Sequence, residues 1–150
     1  MRQAHFVIKH VVVSGPQRLA LTFGDGYAVD VDLSDIIKKY PSLARLAERR
    51  VFAKVALDEW SLGVIFAGDD DLALASDNLR ALAVEQAGEY SHQQVISWMH
   101  DNHLTLDAAS HALGISRRML AYYRRGEKPV PKTVGLAMLG WDSLHKRKAA

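Results

Sequence analysis

Apolar residues recur at every second position through the first third of the chain. In RLALTF, residues 18–23, Leu19, Leu21 and Phe23 alternate with polar or smaller neighbours. In YAVDVD, residues 27–32, Tyr27, Val29 and Val31 do the same. A period of two turns one face of a strand inward and the other to water. Gly24-Asp25-Gly26 separates the runs and predicts a hairpin turn. Upstream, FVIKHVVV, residues 6–13, is rich in β-branched residues and reads as another strand, punctuated by Gly15-Pro16. The period then changes. LSDIIKKYPSLARLAE predicts a helix with Ile36, Ile37 and Tyr40 apolar and Ser34 or Asp35 as its N-cap. Pro41 ends or breaks it, and residues 42–49 form a second helix. VFAKVALDEWSLGVIFAGDDDLAL returns to two or three short strands, with Glu59 and the Gly68–Asp71 stretch at their turns. SDNLRALAVEQ closes the series as a short helix capped by Ser76.

Strand runs interrupted by one helix predict an α+β domain, an antiparallel sheet with one or two helices, rather than a doubly wound sheet. After AGEY, residues 87–90, the pattern is helical throughout. The boundary falls near residues 85–91, which divides the chain into 1–87 and 88–150.

The most specific stretch is LTLDAASHALGISRRMLAYYRRG, residues 104–126. Thr105 suits an N-cap, and Asp107 sits in the first turn, where the helix dipole favours a negative charge. Leu106, Ala109 and Leu113 share a face, and Ala108, Ala109, Ser110 and Ala112 keep the helix thin. Gly114 stands at the C-terminal stop, Ile115 pins the turn, and Ser116 caps a second helix that runs to Gly126. Two short helices joined by a tight turn make a helix-turn-helix unit, whose second helix offers its N-terminal residues to the major groove. Arg117, Arg118 and Tyr122 lie on or near the outward face, and Leu120 and Tyr123 turn inward. Arginine suits base reading because its fork matches guanine O6 and N7.

Charge sharpens that picture. The net charge is +2, but residues 1–85 hold 10 Lys/Arg against 12 Asp/Glu and residues 86–150 hold 9 against 5. The basic half is the helical one, as expected if it alone meets a polyanion. The apolar content of 49% with 24% charged excludes wholesale disorder. The chain has no cysteine, which removes disulfides, zinc ribbons and thiol nucleophiles and suits a reducing cytoplasm. Lys9 and His10 interrupt the N-terminal apolar run, so no signal peptide is read there, and no stretch approaches the ~20 apolar residues of a membrane span.

Other constellations carry less chemistry. His100 and His103, with Asp101 between and His92 upstream, lack the third and fourth ligands of a zinc site. His100 then ends a helix, His103 opens a loop, and His111 lies on the exposed side of the thin helix. Asp69–Asp71 lacks the glutamate and spacing of a calcium loop and reads as a polar β-turn. Asp58 and Glu59 are read as a turn as readily as an acid–base pair. Gly24–Gly26 lacks the rest of a dinucleotide fingerprint. Trp60, Trp98 and Trp141 read as core or interface anchors. The tail with Lys146, Arg147 and Lys148 reads as a phosphate contact or a solvated end. Neither a cofactor nor a metal is expected, and no nucleophile–base pair marks an enzyme.

Two resemblances extend this reading. Over roughly residues 11–82, RLALTFGDGYAVDVDLSDII, RRVFAKVALDEW and the later DLAL and DNL resemble the "domain of unknown function 2442" family. That implies a compact α+β module, sometimes suspected of acting in toxin–antitoxin pairs. From Ser91 to about Leu144, the ungapped spacing from Thr105 to Gly126, followed by EKPVPKTVGLAMLGWDSL, resembles the Cro and lambda-repressor-like, or XRE-type, helix-turn-helix family. That resemblance implies an all-α domain of about five helices, often dimeric, that binds operator DNA. It places base contacts on Arg117, Arg118 and Tyr122, with Met119 set to touch a thymine methyl. It places phosphate contacts near Thr105, Ser116, Lys128 and Lys132. Leu106 departs from the family's usual polar residue. Arg124 replaces a usual acid and adds a cation for phosphate. The expected protein is a transcriptional regulator, a repressor acting on double-stranded DNA as a homodimer. The alternatives are an antitoxin-like protein whose first domain binds a protein partner, and a helix-turn-helix fold kept for protein contacts alone.

Overall fold

Leu19, Leu21, Phe23 and Val31 are buried, and the side chains between them reach the surface or half-bury. The alternation in the sequence thus becomes a sheet with one inward face. The computed structural model describes residues 3–149, with side chains to Lys146; those of Arg147 and Lys148, named above in the basic tail, lie outside the described residues. Strands β1 (Ile8–Gly15), β2 (Arg18–Phe23) and β3 (Ala28–Asp32) form an antiparallel sheet in the order β1-β2-β3. Leu19 opposes Val31, and Leu21 opposes Val29.

Helix α1 (Ser34–Lys39) follows, but neither Ser34 nor Asp35 is its N-cap. The Asp32 carboxylate accepts the Ser34 N–H at 2.9 Å instead, two residues back along the chain. Hydrogen bonds from the Ser34 backbone and side chain hold the Asp32 carboxyl below the usual carboxylate range, with Arg18 and Lys38 adding to the effect against a little desolvation. Tyr40 adopts an extended conformation before Pro41, as a residue preceding proline must. The second expected helix is split into a 3-10 segment, Pro41–Ala47, and a short α2 (Arg49–Phe52).

Strands β4 (Val55–Leu57), β5 (Gly63–Phe66) and β6 (Asp69–Ala75) make a second antiparallel sheet, so the unit holds two three-stranded sheets around one core. Asp69–Asp71 opens β6 and does not form the turn; Ala67 and Gly68, both at positive φ (54° and 65°), do. Asp69 instead faces Arg45, whose guanidinium lies 3.0 Å away. Trp60 is 60% exposed and so is no core anchor. Its segment is shaped by Asp58, whose carboxylate accepts the Trp60 and Leu62 N–H groups. Helix α3 (Ser76–Gln86) buries Leu79, Ala81 and Ala83.

The chain divides into two compact units, residues 1–86 and 87–150. The second is all helical: α4 (His92–Asp101), α5 (Leu106–Leu113), α6 (Arg117–Arg125) and α7 (Lys132–Ala149). These are four helices among the described residues where about five were expected, because α7 runs unbroken past Gly135 and Gly140. His100 lies in the last turn of α4, and His103 follows in the loop at φ 54°. The core gathers Val95, Trp98, Met99, Ala109, Leu120, Tyr123, Val130, Val134 and Met138, with Trp141 packed edge-on to Trp98. No helix among the described residues is long and apolar enough to cross a membrane.

Candidate nucleic-acid interface

Residues 114–116 join α5 to α6, and each end of this connection is fixed by local chemistry. The Thr105 hydroxyl accepts the Ala108 N–H at 3.1 Å and caps α5. Gly114 closes α5 at φ 69°, a left-handed conformation that a Cβ would penalise. The Ser116 hydroxyl accepts the Met119 N–H at 3.1 Å and caps α6. Each capping oxygen is engaged as an acceptor, while its own proton remains a donor for an anion. Ala109 and Ser110 are buried on α5, so the small residues serve close packing.

Helix α6 is sharply two-faced. Leu120 and Tyr123 are buried, and Arg117 and Arg118 are exposed at its N-terminus. Met119 is half-buried and packs against the core, which leaves it one edge toward solvent. Arg117 Nη1 lies 3.4 Å from Asp107 Oδ1, and both side chains are largely exposed. Such a surface pair is weak and readily exchanged for another anion. Arg118 donates its Nε–H to the Tyr122 hydroxyl at 2.9 Å.

Tyr122 organises more than its own helix. The Arg118 guanidinium lies 5.6 Å from its ring centroid, and Lys128 Nζ lies 4.7 Å from the same centroid. Neither cation has an ion-pair partner among the described residues. Both cations thus stand beside one ring, each available to an anion. The sequence did not show this pairing, because Tyr122 and Lys128 stand six apart across the Gly126 turn, outside any helical period.

The remaining predicted residues divide. Lys132 is exposed on the first residue of α7, where the dipole disfavours a cation and favours an anion. Arg124 is half-buried, with no ion-pair partner among the described residues. Arg125 is engaged locally: its Nε–H donates to Ala121 O at 3.3 Å and lies 3.6 Å from Glu127 Oε1. His111 is exposed on α5. The contacts thus bring Arg118, Tyr122 and Lys128 together, and Arg117 precedes them at the exposed start of α6.

The first unit contains a groove of ≈ 580 Å³ whose lining includes Val13, Pro16, Leu46, Ala47, Phe52 and Ala53, with Arg49 the one charged residue among the described ones. Among the described residues, no carboxylate or histidine lines it.

No family model matches the chain, and no curated protein does. A solved structure does match: the crystal structure of "Putative DNA Binding Protein NE0471" from Nitrosomonas europaea ATCC 19718. The two chains are 41% identical, the match covers 95% of this chain and 90% of that one, and the TM-score is 0.82.

Proposed function

This chain belongs to one family with the Nitrosomonas europaea protein NE0471, and from that premise we propose that it is a sequence-specific DNA-binding protein acting as a transcriptional regulator. The carrying observation is the pair Arg117 and Arg118, exposed at the start of a helix whose other face is anchored by Leu120 and Tyr123. In this reading α5 and α6 form an XRE-type helix-turn-helix, and the first unit is a module of the domain 2442 kind. The α6 N-terminus enters the major groove, where the two guanidiniums meet guanine edges. Tyr122 holds Arg118 in register, and Met119 touches a thymine methyl at the groove wall. Lys128, Lys132 and Arg124 neutralise phosphates, and the Thr105 and Ser116 hydroxyls donate to the backbone that passes the two helix starts.

The test is selection of bound sites from random duplexes with the purified chain, followed by titration of the selected and scrambled duplexes. Replacing Arg117 and Arg118 together by Ala is expected to reduce the preference by about 1–3 kcal/mol for each lost bidentate contact. Undiminished preference in the double variant would refute the assignment of these two residues as base readers.

A further inference from the structure

The groove of the first unit joins an apolar bed to unused polar groups. Of its lining, Leu46 is 0% and Phe52 3% exposed, and Phe52 is fixed against Phe66 with ring centroids 5.1 Å apart. Val13, Pro16 and Ala53 are exposed around them. At ≈ 580 Å³ the space falls within the range of small-molecule sites, about 300–1,000 Å³.

The other lining residues say what kind of molecule fits. Ser14, Gln17 and Arg49 belong to the lining. None of their side chains has a hydrogen-bond or ion-pair partner among the described residues. Two cations beside the groove are already neutralised: Arg18 by Asp30 at 2.9 Å and Asp32 at 3.4 Å, and Arg45 by Asp69 at 3.0 Å. Arg49 is not, and among the described residues no carboxylate lines the groove to answer it. Gln17 carries a second signal. Pro16 and Gln17 form the two-residue turn between β1 and β2, with Gln17 at φ 56°, a position that favours glycine. The Gln17 carbonyl is used by the Leu33 N–H at 2.8 Å, a bond that glycine would also make. What glutamine adds at the cost of strain is a side-chain amide at the lip of the groove. One cation and two neutral donors beside an apolar bed match a single acidic group on an apolar body. A cationic ligand would meet Arg49, and a polyanion would find one cation for several charges.

We propose that this groove binds a small apolar monocarboxylate, its body on Leu46 and Phe52, its carboxylate on Arg49, and Ser14 and Gln17 donating to the same group. The site belongs to the first unit and does not depend on the DNA-binding reading.

The test is an amide NMR titration of the full labelled chain, to low millimolar ligand, with 4-phenylbutanoate and decanoate as acids and 4-phenylbutanamide as the neutral control. Both acids are expected to give saturable shifts on residues 13–15, 17 and 46–53, and the amide to bind at least about tenfold more weakly than its acid. Arg49→Gln, at an exposed and unpaired position, is expected to keep its thermal melt and to erase the difference between acid and amide. Gln17→Gly is expected to melt no lower than the wild type and to bind both acids more weakly. Ala53→Phe, which fills the groove from its exposed rim, is expected to abolish binding of acid and amide alike. Absence of saturable shifts with both acids overturns the proposal. So do shifts that fall on the exposed leucines of α7 instead. Equal binding of acid and amide, or an acid preference that survives Arg49→Gln, assigns the groove to a neutral occupant and overturns it as well.

Discussion

Arg80 shows how much one side chain can hold. Its guanidinium donates two parallel bonds of 2.9 Å to the Asp25 carboxylate and a third, at 2.8 Å, to the His5 carbonyl. It also lies 4.5 Å from the Tyr27 ring centroid and 5.0 Å from that of Phe23. One residue of α3 thereby ties the N-terminal turn to the β2–β3 hairpin. Burial alone would raise the Asp25 carboxyl, but the Arg80 bonds and the Tyr27 N–H outweigh it and hold it below the usual range. A carboxyl with a folded pKa below its unfolded one stabilises the fold above the unfolded value of roughly 4 and ceases to do so as the pH falls through the folded value. Thermal melts from about pH 5 to about pH 2 are therefore expected to fall less steeply for Asp25→Asn than for the wild type; parallel slopes would contradict this. A second residue carries local strain. Ala67 takes φ 54° in the two-residue turn before β6, where Asn is better tolerated. Ala67→Asn is expected to raise stability by about 0.5–1 kcal/mol in urea unfolding; no gain would mean that the Ala67 N–H bond to the Lys54 carbonyl weakens in exchange. The alternation of Leu19, Leu21 and Phe23 was readable from sequence because it is local. Arg80 was not, because its carboxylate lies 55 residues away, and no period connects them.

At the scale of elements, the helical unit depends on close approaches as much as on apolar faces. Tyr90 pairs with Val130 across an isolated antiparallel bridge, and its ring lies against Gly135 of α7. A Cβ at Gly135 would run into that ring. Two effects oppose each other in Gly135→Ala: helix propensity favours alanine by about 1 kcal/mol, while overpacking costs about 1–3 kcal/mol. The half-buried ring packs against the core and its backbone is bridged to Val130, so the clash is expected to dominate and the variant to melt earlier than the wild type. A rise in melting temperature would show that Tyr90 moves aside freely. Helix starts were partly legible. Thr105 and Ser116 cap as their sequence positions predict, because the capping bond spans three residues. SHQQ also encodes a capping box, in which Ser91 and Gln94 satisfy each other's backbone, a signal open to reading as Ser-x-x-Gln. At α1 the competition among Asp32, Ser34 and Asp35 was decided by a turn geometry that spacing does not specify.

For the whole molecule, the charge division of the sequence coincides with the division of the fold. The excess of cations falls in residues 86–150, and the helical unit spans 87–150. The cations of the site come from α6, from the loop after it and from the first residue of α7. The sequence placed Arg117 and Arg118 there through their capped helix start. It did not place Lys128 over Tyr122, a contact made only when the chain turns at Gly126 and runs back past α6. The most direct test of the central claim is an amide NMR titration of the full labelled chain with its selected duplex. The account predicts that the largest shifts fall on residues 116–122, 128 and 132, and that they fade as salt rises. Shifts confined to residues 3–86, with α6 unmoved, would contradict it.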